Sequence, residues 1–243
     1  MKTKMKYAII VLMAVLTQSC SNEKNKNDWT KENLKGKVKS YSEFSYTAEE
    51  RFGNIEKGKR ERKGFLDFQK KYDEKGNLIE ENSYNRDGSL YQKHIYKYDE
   101  KGNLIETNQY FWGNSFYRKM THKYDEKGNR IESNDYDSDG ILEFKTTYKY
   151  DEKGNLIEEN SYNRGGSLHQ KGIYKYDEKG NEFEWNYYDL DGNLFRRWTY
   201  KYDEKGNLIE KNTYFPDVSL YRKETYKYDK KGNKIETNLY NTD

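Results

Sequence analysis

The sequence predicts an all-β protein: a repetitive antiparallel β-hairpin meander of seven 26-residue units, forming a curved strip or partly closed spiral. Three observations lead there. The run Tyr72-Asp73-Glu74-Lys75-Gly76-Asn77-Leu78-Ile79-Glu80 recurs from Tyr98, Tyr124, Tyr150, Tyr176, Tyr202 and Tyr228, each time 26 residues further on. A second signal, Tyr84-Asn85-Arg86-Asp87-Gly88-Ser89-Leu90, recurs from Tyr110, Tyr136, Tyr162, Tyr188 and Tyr214, so every unit holds two turns. Between turns lie alternating runs rich in aromatic and β-branched residues, such as LYQKHIYKY ending at Tyr98, and no run has an apolar 3.6-residue period.

Taken in chain order, residues 1–19 read as a signal peptide. A basic start (MKTKMK) precedes the ten-residue apolar run YAIIVLMAVL, too short for a bilayer span of roughly 20 residues. Cys20, the only cysteine, follows at the expected cleavage point and has no internal disulfide partner. This arrangement resembles a bacterial lipoprotein signal. The resemblance implies an exported chain whose Cys20 is acylated and holds it on a membrane of the cell envelope or cell surface. Residues 20–36 then read as the lipidated cysteine and a polar tether. Residues 37–71 read as a capping hairpin whose two strands flank a charged loop at 49–63, and residues 72–243 as the hairpin array.

Composition narrows the function classes. Lys and Arg total 45 against 42 Asp and Glu, a net charge of +3, so no global field favours nucleic acid. Charged residues are 36% of the chain, yet aromatics are 16% and proline occurs once, which separates it from a disordered polyampholyte. One unit offers about five apolar side chains at roughly 1.5–3 kcal/mol each, against an ordering cost of about 1–2 kcal/mol per residue. A lone hairpin therefore does not fold, and stacked units are expected to share a core.

Even-numbered loops would place Tyr72 opposite Ile79 on an apolar face, with Leu90, Tyr96 and Tyr98. They would place Tyr84 opposite Tyr91 on the other face, beside Lys71, Glu80 and Asn82, and no bulge would be needed. On that register Tyr84/Tyr91, Tyr110/Tyr117, Tyr188/Phe195 and Tyr214/Tyr221 form a stripe of aromatic cross-strand pairs near Asn82, Asn108, Asn186 and Asn212. Aromatic planes beside amides and carboxylates suit sugar rings, so these residues are the candidate ligand site. The same pairs also serve to reinforce a thin sheet. Trp112, Trp185 and Trp198 break the repeat consensus and join the candidates.

The Tyr-Asp-x-x-Gly-Asn-Leu units resemble the YD repeats of the rearrangement-hotspot (RHS) family over about residues 65–243. The resemblance implies hairpin strips that spiral into shells, often at cell surfaces. It differs from the family in lacking a self-cleaving core and a C-terminal toxin segment, so the nearer likeness is a short YD-repeat lipoprotein. A toxin-associated or cell-contact factor is the alternative it suggests.

Catalytic constellations are sparse. His94, His122 and His169 occupy different repeat positions without metal-ligand spacing, and Asp73 and Glu80 recur as repeat architecture. Asp135-Tyr136-Asp137-Ser138-Asp139-Gly140 matches the opening of a calcium loop, but Thr146 stands where the bidentate glutamate belongs, so it reads as a polar hairpin turn. The expectation is a non-enzymatic scaffold with no cofactor or metal, a membrane anchor, and a glycan or protein partner.

Overall fold

The computed structural model describes residues 27–44, 46–60, 67–85 and 87–241. The signal peptide, Cys20 and part of the basic run at 57–63 lie outside them. A one-turn helix, α1 (Asp28–Lys31), is followed by β1 (Ser40–Glu43), β2 (Tyr46–Arg51) and β3 (Asn54–Arg60). The repeats supply β4 (Asp67–Tyr72), β5 (Leu78–Tyr84), β6 (Leu90–Tyr98), β7 (Leu104–Phe111), β8 (Ser115–Tyr124), β9 (Arg130–Tyr136) and β10 (Leu142–Tyr150). They continue with β11 (Leu156–Asn163), β12 (Leu168–Tyr176), β13 (Glu182–Tyr188), β14 (Leu194–Tyr202), β15 (Leu208–Tyr214), β16 (Leu220–Tyr228) and β17 (Lys234–Asn241). One antiparallel sheet of 15 strands runs in the order β1-β4-β5 and then consecutively to β17, and it is not closed. At about 4.8 Å per strand it extends roughly 65 Å.

The turns follow one rule. Asp73 accepts a bond from Gly76 N–H through its carbonyl (3.1 Å) and donates its own N–H to the Asn77 carbonyl (2.9 Å). Its side chain accepts from the N–H groups of Lys75 and Asn77, and the Asn77 amide closes on Asp73 Oδ2 at 2.8 Å. Gly76 stands at φ +86°, the left-handed position that ends a three-residue hairpin loop. This is the physical meaning of Asp-x-x-Gly-Asn.

That loop is odd-numbered, and it overturns the bulge-free register. Lys71 faces Glu80 while Tyr72 faces Leu78, leaving Ile79 as an extra residue. At the second turn Ser83 faces Gln92 and Tyr84 faces Leu90, leaving Tyr91 unpaired. Both shifts recur along the array, so each unit carries two β-bulges. Lys71, Glu80, Asn82 and Tyr84 do share a face, as expected, but Leu90 joins them through the bulge.

A common apolar core does not form. Tyr72 is the only fully buried apolar residue described, while Asn82, Thr107, Asn134, Asn160, Glu184, Asn186, Asn212 and Thr213 are buried polar ones. The sheet is a single layer held by cross-strand ladders. On one face a glutamate in each inner unit lies between two cations: Lys97–Glu106–Lys119 at 2.6 and 3.2 Å, Lys123–Glu132–Lys145 at 2.8 and 2.8 Å, Lys201–Glu210–Lys223 at 2.9 and 2.8 Å. The asparagine two residues on donates to the same carboxylate, as Asn108 does to Glu106 at 2.8 Å. On the other face four first-turn tyrosines tie units together: Tyr98, Tyr124, Tyr150 and Tyr228 donate to the carbonyls of Leu78, Leu104, Arg130 and Leu208, each 20 residues earlier.

Two N-terminal expectations change. The charged loop at 49–63 is largely a hairpin of its own, β2 paired with β3. The later part of the supposed tether folds: Asp28 accepts from Leu78 N–H at 2.7 Å, and Trp29 packs on Tyr72 and donates to the Val38 carbonyl at 2.6 Å. With β1 lying on β4, this segment covers the start of the sheet.

Candidate binding surface

The structure sorts the candidate residues into three places where the sequence reading had one stripe. Tyr84, Tyr110, Tyr188 and Tyr214 sit half-buried on the ion-pair face, opposite Leu90, Phe116, Leu194 and Leu220. Their expected partners Tyr91, Tyr117, Phe195 and Tyr221 are the bulge residues, so the four cross-strand pairs are corrected. These bulges lie at the second-turn ends of their strands, at the margin of the strip, and Tyr117, Phe195 and Tyr221 are 54%, 50% and 39% exposed.

The bulge rings meet other aromatics edge to face. Tyr91 and Tyr117 flank Phe111 with centroids 5.9 and 4.9 Å away, Phe195 meets Tyr187 at 5.7 Å, and Tyr221 meets Phe215 at 4.9 Å. The Arg196 guanidinium lies 5.2 Å from the Tyr221 ring and 5.8 Å from Phe195. Between β7 and β8 the turn departs from the repeat: Trp112, Gly113 and Asn114 all have positive φ, and Trp112 is 73% exposed. A bulky residue at φ +39° is conformationally costly, and here it holds an indole out in solvent beside Phe111.

Trp185 and Trp198 lie elsewhere, on the opposite face, directly across from each other on β13 and β14. Their rings stack at 4.1 Å and 15°, and Tyr174 of β12 stacks on Trp185 at 5.8 Å and 6°. Both faces of Trp185 are covered, so this stack reinforces the sheet and offers a ligand no free Trp185 plane.

The carboxylates are mostly engaged. Lysine and asparagine hydrogen bonds hold Glu106, Glu132 and Glu210 down to about 2. Glu182 behaves oppositely and was not singled out from the sequence. It occupies the slot that holds leucine in most units, faces Tyr176, and is pushed up to about 7 by burial, with Lys211 opposing that shift. A glutamate in a leucine slot was the signal available. Burial also lowers the pKa of His94 and His122. His122 donates to or accepts from Ser133 Oγ at 2.9 Å.

Among the described residues no three His, Cys, Asp or Glu side chains gather to hold a metal. In the calcium-like turn Asp137 accepts from Asp139 and Ile141 N–H, and Asp135 pairs with Arg118. A cavity of about 540 Å³ forms an open trough between turns bordered by Ile105, His122, Tyr124 and Ile131. No described helix is long and apolar enough to cross a membrane.

No protein-family model matches the chain, and no curated protein matches it. Among solved structures, the Photorhabdus luminescens Tc holotoxin pore overlaps with 72% of this chain and 9% of its own, at 17% identity and a TM-score of 0.49. A TcdB2–TccC3 crystal structure overlaps with 75% of this chain and 13% of its own, at 15% identity and a TM-score of 0.32. A porin-like protein from Bacteroides uniformis overlaps with 70% of this chain and 58% of its own, at 14% identity and a TM-score of 0.34. This chain spans about a tenth of the toxin chains.

Proposed function

We propose that the chain is an exported, lipid-anchored scaffold of the cell envelope that performs no catalysis and binds glycan along its aromatic margin. The observation that carries this is the row of exposed rings at the second turns, Trp112, Tyr117, Phe195 and Tyr221, held out by bulges and a strained turn. Sugar rings present an apolar face and hydroxyl edges, which suits planes flanked by polar turns such as Asp189-Asp191-Asn193. The non-catalytic reading is supported by carboxylates committed to two cations and an amide, as Glu106 is to Lys97, Lys119 and Asn108. Anchoring is supported by the export segment ending at Cys20.

A protein partner is the second reading, favoured by a different feature. Ile131, Ile157, Phe183, Ile209 and Ile235, bulge residues at the first turns, are 36–64% exposed along the opposite margin.

The experiment is a polysaccharide pull-down and glycan array with the full chain and a Trp112→Asn/Tyr117→Ser/Phe195→Ser/Tyr221→Ser variant shown to fold by circular dichroism. Retention lost by the folded variant supports the glycan margin; no retention by the parent chain removes it. Anchoring is read separately, as loss of membrane fractionation and fatty-acid labelling in Cys20→Ser.

A further inference from the structure

The slot that Glu182 fills has three kinds of occupant along the array. Leucine holds it as Leu78, Leu104, Leu156 and Leu208, and a cation holds it as Arg130 and Lys234. Both cations rest on a tyrosine of the neighbouring strand. The Arg130 guanidinium lies 5.0 Å from the Tyr148 ring centroid, and Lys234 Nζ lies 4.2 Å from that of Tyr226. Glu182 stands two units after Arg130 and two before Lys234, and there the same two ring positions are Tyr200 and Tyr174.

A carboxylate therefore stands where two other units bring a cation to a ring. Glu182 faces Tyr176 through the first-turn bulge, on the face that carries Tyr174. Its charge acts on Tyr174, Tyr176, Tyr200 and Tyr202, so four phenols lie around it. The first-turn tyrosines that tie units together do not include Tyr176 or Tyr202, whose hydroxyls have no hydrogen-bond partner among the described residues. The carboxylate itself is half-buried, and among the described residues no donor bonds to it. Lys211, opposite Tyr200 on β15, acts on it by charge without forming an ion pair.

A half-buried carboxylate among aromatic planes and unpaired hydroxyl oxygens matches an organic cation. The cation pairs with the carboxylate, lies against the rings and donates its N–H groups to the hydroxyls. We propose that Glu182, with Tyr174, Tyr176, Tyr200 and Tyr202, forms a binding site for a primary ammonium or guanidinium group, the external counterpart of Arg130 and Lys234. The site lies on the face opposite the ion pairs, apart from the margin of Trp112 and Tyr117, and its test does not depend on glycan binding.

The probes are butylammonium and N-acetyl-lysine amide, titrated into the full chain in detergent and followed by saturation-transfer NMR, with potassium chloride at matched ionic strength as the control. Saturable binding is expected at pH 8. Burial pushes Glu182 up to about 7, so affinity should fall about tenfold or more at pH 5, where its carboxyl is protonated and both probes keep their charge. Glu159 of β11, Lys211 and the turn carboxylates Asp151 and Asp177 also act on this cluster, so the pH effect is assigned with Glu182→Gln, whose residual binding should be weak and equal at both pH values. Glu182→Leu installs the residue of four other units, and Glu182→Arg copies Arg130; both should keep the far-ultraviolet β signal and lose binding. Lys211→Gln removes an internal competitor and should tighten binding severalfold. Preference for N-acetyl-lysine amide would place the ammonium on a polypeptide, and preference for butylammonium on a free amine; either supports the site. The pH comparison uses the parent chain alone, so a variant that fails to fold does not blur the result. No saturable response, a response matched by potassium, equal affinity at both pH values, or undiminished binding by folded Glu182→Leu would overturn the proposal.

Discussion

Asn155 Nδ2 donates to Asp151 Oδ2 at 2.8 Å, closing a clamp around Gly154, which stands at φ +89°. The same clamp recurs at every Asp-x-x-Gly-Asn turn, so the register of each first-turn hairpin is set by its own turn residues. A Cβ at Gly154 would meet nothing within 4 Å, and any cost of adding one is purely conformational. Gly154→Ala should destabilise the fold by about 1 kcal/mol, the penalty of a left-handed L-residue. Asp151→Ala should also destabilise, through the two hydrogen-bond donors of Asn155 that it frees. Urea melts followed by circular dichroism test both; an unchanged midpoint in Gly154→Ala would refute the conformational account.

One turn breaks the rule in the other direction. Val218 sits at φ +68° in the position where Gly88, Gly140, Gly166 and Gly192 stand in other units. Its N–H still donates to the Phe215 carbonyl at 3.0 Å, so the turn forms despite the residue. A β-branched side chain there is held in an unfavourable region. Val218→Gly should therefore stabilise the array by about 1 kcal/mol, raising the urea midpoint. A lowered midpoint would mean that Val218, 50% exposed, makes a contact worth more than its strain.

How much of this was legible in the sequence depends on how local the physics is. The period, both turns, the strand positions and the antiparallel order follow from Gly, Asn and Asp placed by short-range geometry. The bulges did not follow, because whether Tyr72 meets Ile79 or Leu78 turns on a single residue of loop parity. The same parity at the second turn, where Tyr84 meets Leu90, moved Tyr91, Tyr117, Phe195 and Tyr221 off the ladder. The absent core was also illegible: Leu, Ile and Tyr recur as if for burial, yet a single layer leaves most of them half-covered. Trp185 and Trp198 were visible as consensus breakers, but their stacking depended on the register that the bulges set.

The two classes of glutamate give opposite pH dependences. Glu106, Glu132 and Glu210 are held down to about 2 from an ordinary value of 4.5 by lysine and asparagine hydrogen bonds. The stabilisation they supply is complete above pH 4.5 and drains away as pH falls toward 2. Glu182 is pushed up to about 7 from 4.5 by burial, so the native state binds its proton more tightly than the unfolded chain. Its contribution is complete below pH 4.5 and lost as pH rises through 7. Glu182→Gln should gain about 1 kcal/mol at pH 8, solvent on its open side screening the rest, and nothing at pH 4. Urea midpoints at both pH values decide it; an equal gain at pH 4 would point to packing instead of charge.

The Trp185–Trp198 contact can be weighed against its neighbours by a double-mutant cycle. Trp185 occupies a slot that holds Thr107 and Thr237 in other units, and Trp198 one that holds Met120 and Thr146, so threonine is compatible with the sheet at both places. Stacked at 4.1 Å, the two indoles should show a coupling of about 0.5–1.5 kcal/mol between Trp185→Thr and Trp198→Thr. Tyr174, stacked on the far side of Trp185, should lose its own coupling to Trp198 once Trp185 is threonine, because the stack passes through that ring. Near-ultraviolet circular dichroism reports the same event independently: the exciton signal of paired indoles should vanish in either single variant while the far-ultraviolet β signal persists. Additive losses with an unchanged near-ultraviolet spectrum would show that the rings are merely adjacent.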